Sequence, residues 1–250
     1  MSKLLNRWLK PKLSVVIPAR NEEKELPGCL ESLARQTFPD FEVIVVDNGS
    51  TDATAFIAKE WGARVVFEAR RGPGYAREAG FCAAEAEIIA STDADTLLSP
   101  DWVARIHQAF EEHPEIIAVF GPIRAKPFSA PTPLTNALLP VFETGIICGQ
   151  KMALRGKAPL FSGANFAVRK EAFFAVHGFR SPRTGQIYSS SEDILFGLKL
   201  GRIGRILYLP NLVVWTSARR VQVENPYWAA KAVLGCFCIA ARGVLRGRYS

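Results

Sequence analysis

Leu13-Ser14-Val15-Val16-Ile17 is a short, largely β-branched run that stops at Pro18, the pattern of a parallel strand buried on both faces. Beyond the loop Ala19-Arg20-Asn21-Glu22, apolar residues recur at Leu26, Cys29, Leu30 and Leu33 with Pro27 early, which predicts an amphipathic helix lying on the sheet. A second strand over Glu42 to Val46 ends in Asp47-Asn48-Gly49-Ser50-Thr51-Asp52, a turn that feeds a helix reaching about Trp61. A third strand follows at Arg64 to Phe67. Strands and helices alternating in this order imply right-handed crossovers and a mostly parallel sheet. A basic glycine-containing loop, Arg70 to Arg77, then leads to a helix over Ala76 to Ala86 and to the apolar run Ile88-Ile89-Ala90.

That run breaks at Thr92-Asp93-Ala94-Asp95-Thr96. The next helix is expected from Ser99-Pro100, with a capping serine and a first-turn proline, through Trp102, Val103, Ile106 and Phe110 to Glu112. A strand at Ile116 to Phe120 comes after it. Prolines crowd residues 124–133 and no period emerges until about Leu134, which reads as a mobile flap or a lid for a second substrate. Leu160 to Val168 predicts a strand running into a helix at Lys170 to Val176. The serine-rich stretch Thr184 to Ser191 precedes a helix that opens at Glu192-Asp193 and continues through Leu200. Strands at Arg205 to Leu209 and Leu212 to Trp215 complete the pattern. With no internal repeat or linker, residues 13–220 read as one α/β domain between a basic N-terminal segment, 1–12, and a basic apolar C-terminal extension, 221–250.

Composition adds a core and a charge asymmetry. The 250 residues are 48% hydrophobic, enough for a sizeable interior. The net charge of +7 is concentrated at the ends: from Gly201 onward eight Arg and Lys residues stand against Glu224 alone, and Lys3, Arg7, Lys10 and Lys12 crowd the N-terminus. Such ends are drawn to an anionic membrane surface, a phosphorylated ligand or nucleic acid. The last is disfavoured, because no reading motif accompanies the basic residues and strand-end aspartates repel phosphates. Five scattered cysteines without paired spacing suit a reducing, cytoplasmic compartment. Residues 232–241 fall short of the roughly 20 residues needed to span a bilayer, so the expectation is a cytoplasmic protein, peripheral at most on the inner face of the membrane.

Chemistry concentrates at Asp93 and Asp95. In an open α/β sheet ligands bind outside the carboxyl ends of the strands, and an Asp-x-Asp pair there suits a hard divalent cation carrying a phosphorylated substrate. A solvated acidic turn has the same local sequence. The loop from Arg70 to Arg77 is open in the same way: it is a phosphate cradle at a helix start or a plain turn. Glu192-Asp193 suits either catalysis or the first turn of a helix, where acidic residues are favoured.

Four segments occur in order: Val-Val-Ile-Pro-Ala-Arg-Asn-Glu (15–22), Val-Asp-Asn-Gly-Ser-Thr-Asp (46–52), Thr-Asp-Ala-Asp (92–95) and Ser-Glu-Asp-Ile-Leu (191–195). Together they resemble the inverting family 2 glycosyltransferases, over about Leu13 to Arg220. The resemblance implies a single GT-A-type domain, a nucleotide-binding α/β half merged with an acceptor-side half. It implies that Pro18, Ala19, Arg20 and Glu22 line the nucleotide pocket and that Asp47 accepts a hydrogen bond from the base. Arg71 and Arg77 would lie near the nucleotide, with Asp93 and Ala94 at the ribose. Asp95, with Asp93, would hold Mg²⁺ or Mn²⁺ on the diphosphate. Asp193 would be the base that takes the acceptor's proton, and Gly163, Ala164, Asn165 and Glu192 would face the sugar and acceptor.

The Gln-x-x-Arg-Trp signature of processive synthases is missing. In its place Arg219 or Arg220 is expected to clamp the leaving group, with a basic surface patch the competing explanation. The implied partners are a UDP- or GDP-type sugar and a sugar, lipid-linked or small-molecule acceptor. Two other readings stand beside this one: transfer to a polyprenyl phosphate at the membrane surface, and a nucleotide-sugar binder without catalysis.

Overall fold

The computed structural model describes residues 10–126, 161–181, 184–187 and 192–217. Strands β1 (Leu13–Ala19), β2 (Phe41–Asp47), β3 (Arg64–Phe67) and β4 (Ile88–Ser91) pair in parallel, in the order β3-β2-β1-β4. The sheet continues through β8 (Phe166–Arg169), β6 (Ile116–Phe120) and β9 (Arg205–Tyr208). Six of the seven strands run the same way, and β8, between β4 and β6, runs against them. A smaller sheet of three strands, β5 (Thr96–Leu98), β10 (Val214–Thr216) and β7 (Ile123–Ala125), stands beside it.

Successive strand residues point to opposite faces, so strands covered on both sides must be apolar at every position. Val15, Ile17, Val43 and Val45 pack under helices α1 (Leu26–Ala34), α2 (Thr54–Glu60) and α4 (Trp102–Glu112). Val16, Ile44, Val46 and Ile89 pack on the other face under α3 (Pro73–Ala83), α5 (Lys170–Ala175) and α6 (Glu192–Ile203). Phenylalanines 81, 161, 166, 173, 179 and 196 form a continuous aromatic cluster on this second face. Helix α3 comes so close that a Cβ added at Gly80 would overlap Val16 and press on Val46.

Several boundaries differ from the sequence pattern, each for a local reason. Helix α3 starts at Pro73 rather than Ala76, because proline is preorganised for a first turn and Gly72, at φ 136°, turns the chain into it. Helix α4 starts at Trp102, and no side chain caps it. The expected capping serine instead offers its carbonyl to Trp102 N and Gln36 Nε2, because β5 keeps the chain extended through Leu98. The strand expected over Leu160 to Val168 shrinks to β8, with residues before it folded into a turn closed by Asn165 N to Ser162 O at 3.0 Å. Strands β5 and β7 are three residues each, too short for alternation to reveal.

The proline-rich stretch read as a flap lies outside the described residues from residue 127 onward. Most of both basic ends, and Arg219 and Arg220, lie outside them as well. Among the described residues no helix is long and apolar enough to cross a membrane.

Candidate active site

Where the chain leaves β1 for one side of the sheet and later adds β4 on the other, the loops after the two strands diverge and open a crevice. A cavity of about 670 Å³ occupies it. Its walls are Pro18, Ala19, Arg20 and Glu22 after β1, Asn48 after β2, Gly72, Pro73, Ala76 and Arg77 at the start of α3, and Asp93, Ala94 and Asp95 after β4. Because β8 runs backwards, its beginning rather than its end reaches this edge, which delivers Ser162, Gly163 and Ala164. Glu192 and Asp193 enter from the first turn of α6, and Thr216 and Ser217 from the end of β10.

The loops around the cavity are stitched to one another. Asn21, held at φ 54°, donates its backbone N–H to Ser50 Oγ at 3.0 Å and accepts Thr51 N at 2.8 Å. Glu22 N reaches Thr54 Oγ1 at 2.8 Å. Asn48 spends its whole amide on the loop before α3: Nδ2 donates to Glu68 O and Arg70 O, and Oδ1 accepts Gly72 N, each at 2.8 Å.

At the other end Arg77 is the centre of an ionic cluster. Its side chain is 5% exposed; Nη2 pairs with Asp93 at 2.5 Å, Nη1 with Glu192, and Nε donates to Ser91 Oγ at 3.3 Å. The guanidinium is held in its charged form, the pull of Asp93, Glu192 and Asp193 outweighing its burial. Ser91 Oγ in turn donates to Gly163 O at 2.7 Å, and Gly163 N donates to Asp193 Oδ2 at 2.8 Å. Asp193 Oδ1 accepts Ile194 N at 2.8 Å. Burial pushes the Asp193 and Glu192 carboxyls above their ordinary range, and Arg77 only partly offsets this.

Asp95 lines the cavity and accepts the Thr216 hydroxyl at 3.0 Å, so the smaller sheet fixes its orientation. Among the described residues no three His, Cys, Asp or Glu side chains gather as a ready-made metal site. Asp93 and Asp95 offer only oxygen, as a hard cation prefers, and would share it with oxygens of a ligand and water. The cavity wall carries five acidic side chains against two basic ones. An anionic ligand therefore needs a companion cation to enter, and the donor set fits that role.

Of the residues singled out from sequence, Pro18, Ala19, Arg20, Glu22, Arg77, Asp93, Ala94, Asp95, Gly163, Ala164, Glu192 and Asp193 line one cavity. Three do not. Asp47 is buried beside it with Oδ1 on Ser50 N at 2.9 Å, and Arg71 is exposed. Asn165, 1% exposed, is a brace: Oδ1 accepts Trp102 Nε1 at 2.9 Å and Nδ2 donates to Pro122 O at 3.0 Å and Leu212 O at 2.7 Å. Its amide is spent on protein groups rather than turned to a sugar. Asn48, Ser162, Thr216 and Ser217 also line the cavity without having been singled out one by one, although Asn48 lies in the segment 46–52. Gly72, Pro73 and Ala76 belong to the Arg70 to Arg77 loop, read from sequence as a phosphate cradle or a plain turn, and they stand at the cavity wall.

The family model described as Glycosyl transferase family 2 matches residues 14–175. The chain is 45% identical over 83 residues to the uncharacterized glycosyltransferase Rv0539 of Mycobacterium tuberculosis, covering 33% of this chain and 36% of that one. The chain thus spans about a third of the length of the curated relatives it matches. Among the solved structures that share the fold are the following two. The mannosyltransferase PcManGT from Pyrobaculum calidifontis, in complex with GDP-Man and Mn²⁺, superposes with a TM-score of 0.68 at 22% identity, over 94% of this chain and 65% of that one. Staphylococcus aureus TarS 1-349, in complex with UDP-GlcNAc, superposes with a TM-score of 0.63 at 22% identity, over 96% and 68%.

Proposed function

Since this chain belongs to glycosyltransferase family 2 and has the GT-A fold, we propose that it moves one sugar from a UDP- or GDP-sugar to a neutral hydroxyl, with inversion and with a divalent cation. The observation that carries the reading is that Asp93 and Asp95 face one cavity at the carboxyl edge of the sheet together with Asp193, about a hundred residues further along the chain. The solved neighbours bind GDP-Man with Mn²⁺ and UDP-GlcNAc, which supports the donor class.

Asp193 is the base. Its two oxygens are held by Gly163 N and Ile194 N, which fixes the plane of the carboxylate while leaving lone pairs for a proton. The acceptor oxygen forms its bond to the anomeric carbon as its proton passes to Asp193. The electrons of the breaking carbon–oxygen bond leave on the diphosphate. Attack from the face opposite the diphosphate inverts the centre. No second carboxylic acid is needed, because a diphosphate, unlike the alcohol expelled by a glycosidase, leaves without a proton. Asp95, with Asp93, would hold Mg²⁺ or Mn²⁺, which supplies Lewis-acid neutralisation of the charge developing on the leaving diphosphate.

The same geometry supports a hydroxyl over a phosphate as acceptor. A polyprenyl phosphate is already ionised and gains nothing from a base, and its charge would face the carboxylates of Glu192 and Asp193. A hydroxyl needs the base and meets no repulsion. The basic ends of the chain are assigned to an anionic membrane face, on their charge alone.

The test is thermal stabilisation and donor cleavage with UDP-glucose, UDP-N-acetylglucosamine and GDP-mannose, with and without Mn²⁺. Asp95→Ala is expected to lose the Mn²⁺-dependent stabilisation. Asp193→Asn is expected to keep donor binding and lose about 10²-fold or more in turnover. Unchanged turnover in Asp193→Asn removes that residue from the mechanism.

A further inference from the structure

Arg77 was expected beside the nucleotide and lines the cavity, and its geometry argues for a further task. Three of its nitrogens are engaged by protein groups, with Asp93 on Nη2, Glu192 on Nη1 and Ser91 Oγ on Nε. Its fourth boundary is the backbone of Gly163, where an added Cβ would overlap Nη2 and the guanidinium carbon. These partners come from β4, the loop after it, the turn before β8 and the first turn of α6. Resting on the glycosyl-transfer reading above, we propose that Arg77 is a positioning residue that sets the spacing between the donor-side carboxylate Asp93 and the base Asp193.

The chain of contacts runs in both directions from the guanidinium. On one side it fixes Asp93 by a direct ion pair. On the other it reaches Asp193 twice: through Glu192, its neighbour in the first turn of α6, and through the relay Ser91 Oγ to Gly163 O, then Gly163 N to Asp193 Oδ2. Asp93, Glu192 and Asp193 converge on a site where bare carboxylates would push one another apart. A planar, permanently charged fork holds two of them at fixed angles, which a lysine ammonium, a point charge on a flexible stem, does not reproduce. Gly163 completes the design, since any side chain there would lift the guanidinium out of plane.

A fold staple and a positioning residue make different kinetics. Removing a staple lowers the folded fraction, and donor binding falls with turnover. Loosening the spacing leaves donor binding in place and lowers kcat, because a displacement of about 1 Å in a reacting geometry costs about 10²-fold. The experiment uses the full chain with Mn²⁺ and whichever of UDP-glucose, UDP-N-acetylglucosamine and GDP-mannose the wild type cleaves. It reads release of nucleoside diphosphate with water as acceptor, calorimetric donor binding and thermal unfolding. For Arg77→Lys we expect kcat lower by about 10²-fold, with the donor KM and the calorimetric stoichiometry near those of wild type. Ser91→Ala leaves both ion pairs and cuts the relay, so kcat should fall by about threefold to tenfold at unchanged melting temperature and donor affinity.

Arg77→Lys with wild-type kcat, or with binding and turnover reduced in parallel, overturns the assignment. If Arg77→Lys does not fold, Ser91→Ala decides: wild-type kcat in that variant overturns the assignment. Wild-type protein that cleaves none of the three donors overturns the parent reading instead.

Discussion

The carboxyl of Asp193, the proposed base, would serve chemistry at the expense of folding. Burial raises its pKa, so more protons bind to it in the folded chain than in the unfolded chain at the same pH. As an acid with a raised folded pKa, it contributes stability at low pH. That contribution is lost as pH climbs from the ordinary carboxylate range through the folded value. As the proposed base, it would also be inactive until it ionises. We therefore expect the acid limb of the kcat profile to lie above the usual aspartate pKa of about 4, and activity to rise with pH across it. Over the same interval the melting temperature of Asp193→Asn should move upward relative to wild type, a comparison that differential scanning fluorimetry across pH makes directly. Arg77 shows what sequence conceals at this scale. As a basic residue after a glycine-containing loop it suggests a phosphate contact, and nothing in its local sequence announces the ion pairs it makes with Asp93 and the distant Glu192.

At the scale of elements, Asn165 ties helix α4 to the turn before β8 and to the chain entering β10. Asn165→Ala would orphan the buried Trp102 N–H and the Leu212 carbonyl and leave the Pro122 carbonyl with Val214 N alone, at a cost of about 3 kcal/mol. The expected fall in melting temperature is roughly 10 °C, read by circular dichroism; a fall of only a degree or two would deny the brace. An asparagine just before a strand is equally good as a ligand or as a brace, which is why sequence alone left it open. The strands were legible where both faces are buried, because Val15 to Ile17 and Val43 to Val46 are apolar without interruption. The direction of β8 was not, since Phe166 to Arg169 has no local property that separates parallel from antiparallel pairing. That direction alone brings Gly163 to the cavity edge. Strands β5 and β7 escaped for a related reason: each exists by pairing with β10, distant in sequence, and not by its own pattern.

For the whole molecule, the concentration of positive charge outside the central α/β region predicts association with vesicles containing phosphatidylglycerol. Salt should weaken it as the Debye length shrinks below about 10 Å; co-sedimentation with anionic and neutral vesicles is the check, and equal recovery on both would refute it. Asn48 adds a different kind of constraint. It precedes Gly49, the neighbour that least hinders cyclisation of an asparagine to a succinimide, and in the folded chain its amide is pinned by Glu68, Arg70 and Gly72. Heating frees that amide. Each excursion to the unfolded state then lets a fraction of chains age to aspartate or isoaspartate, which lacks the two N–H groups owed to Glu68 O and Arg70 O. Repeated melting should therefore erode recovery of native protein through chemical damage confined to a single peptide, and mass spectrometry of that peptide would show the loss accumulating.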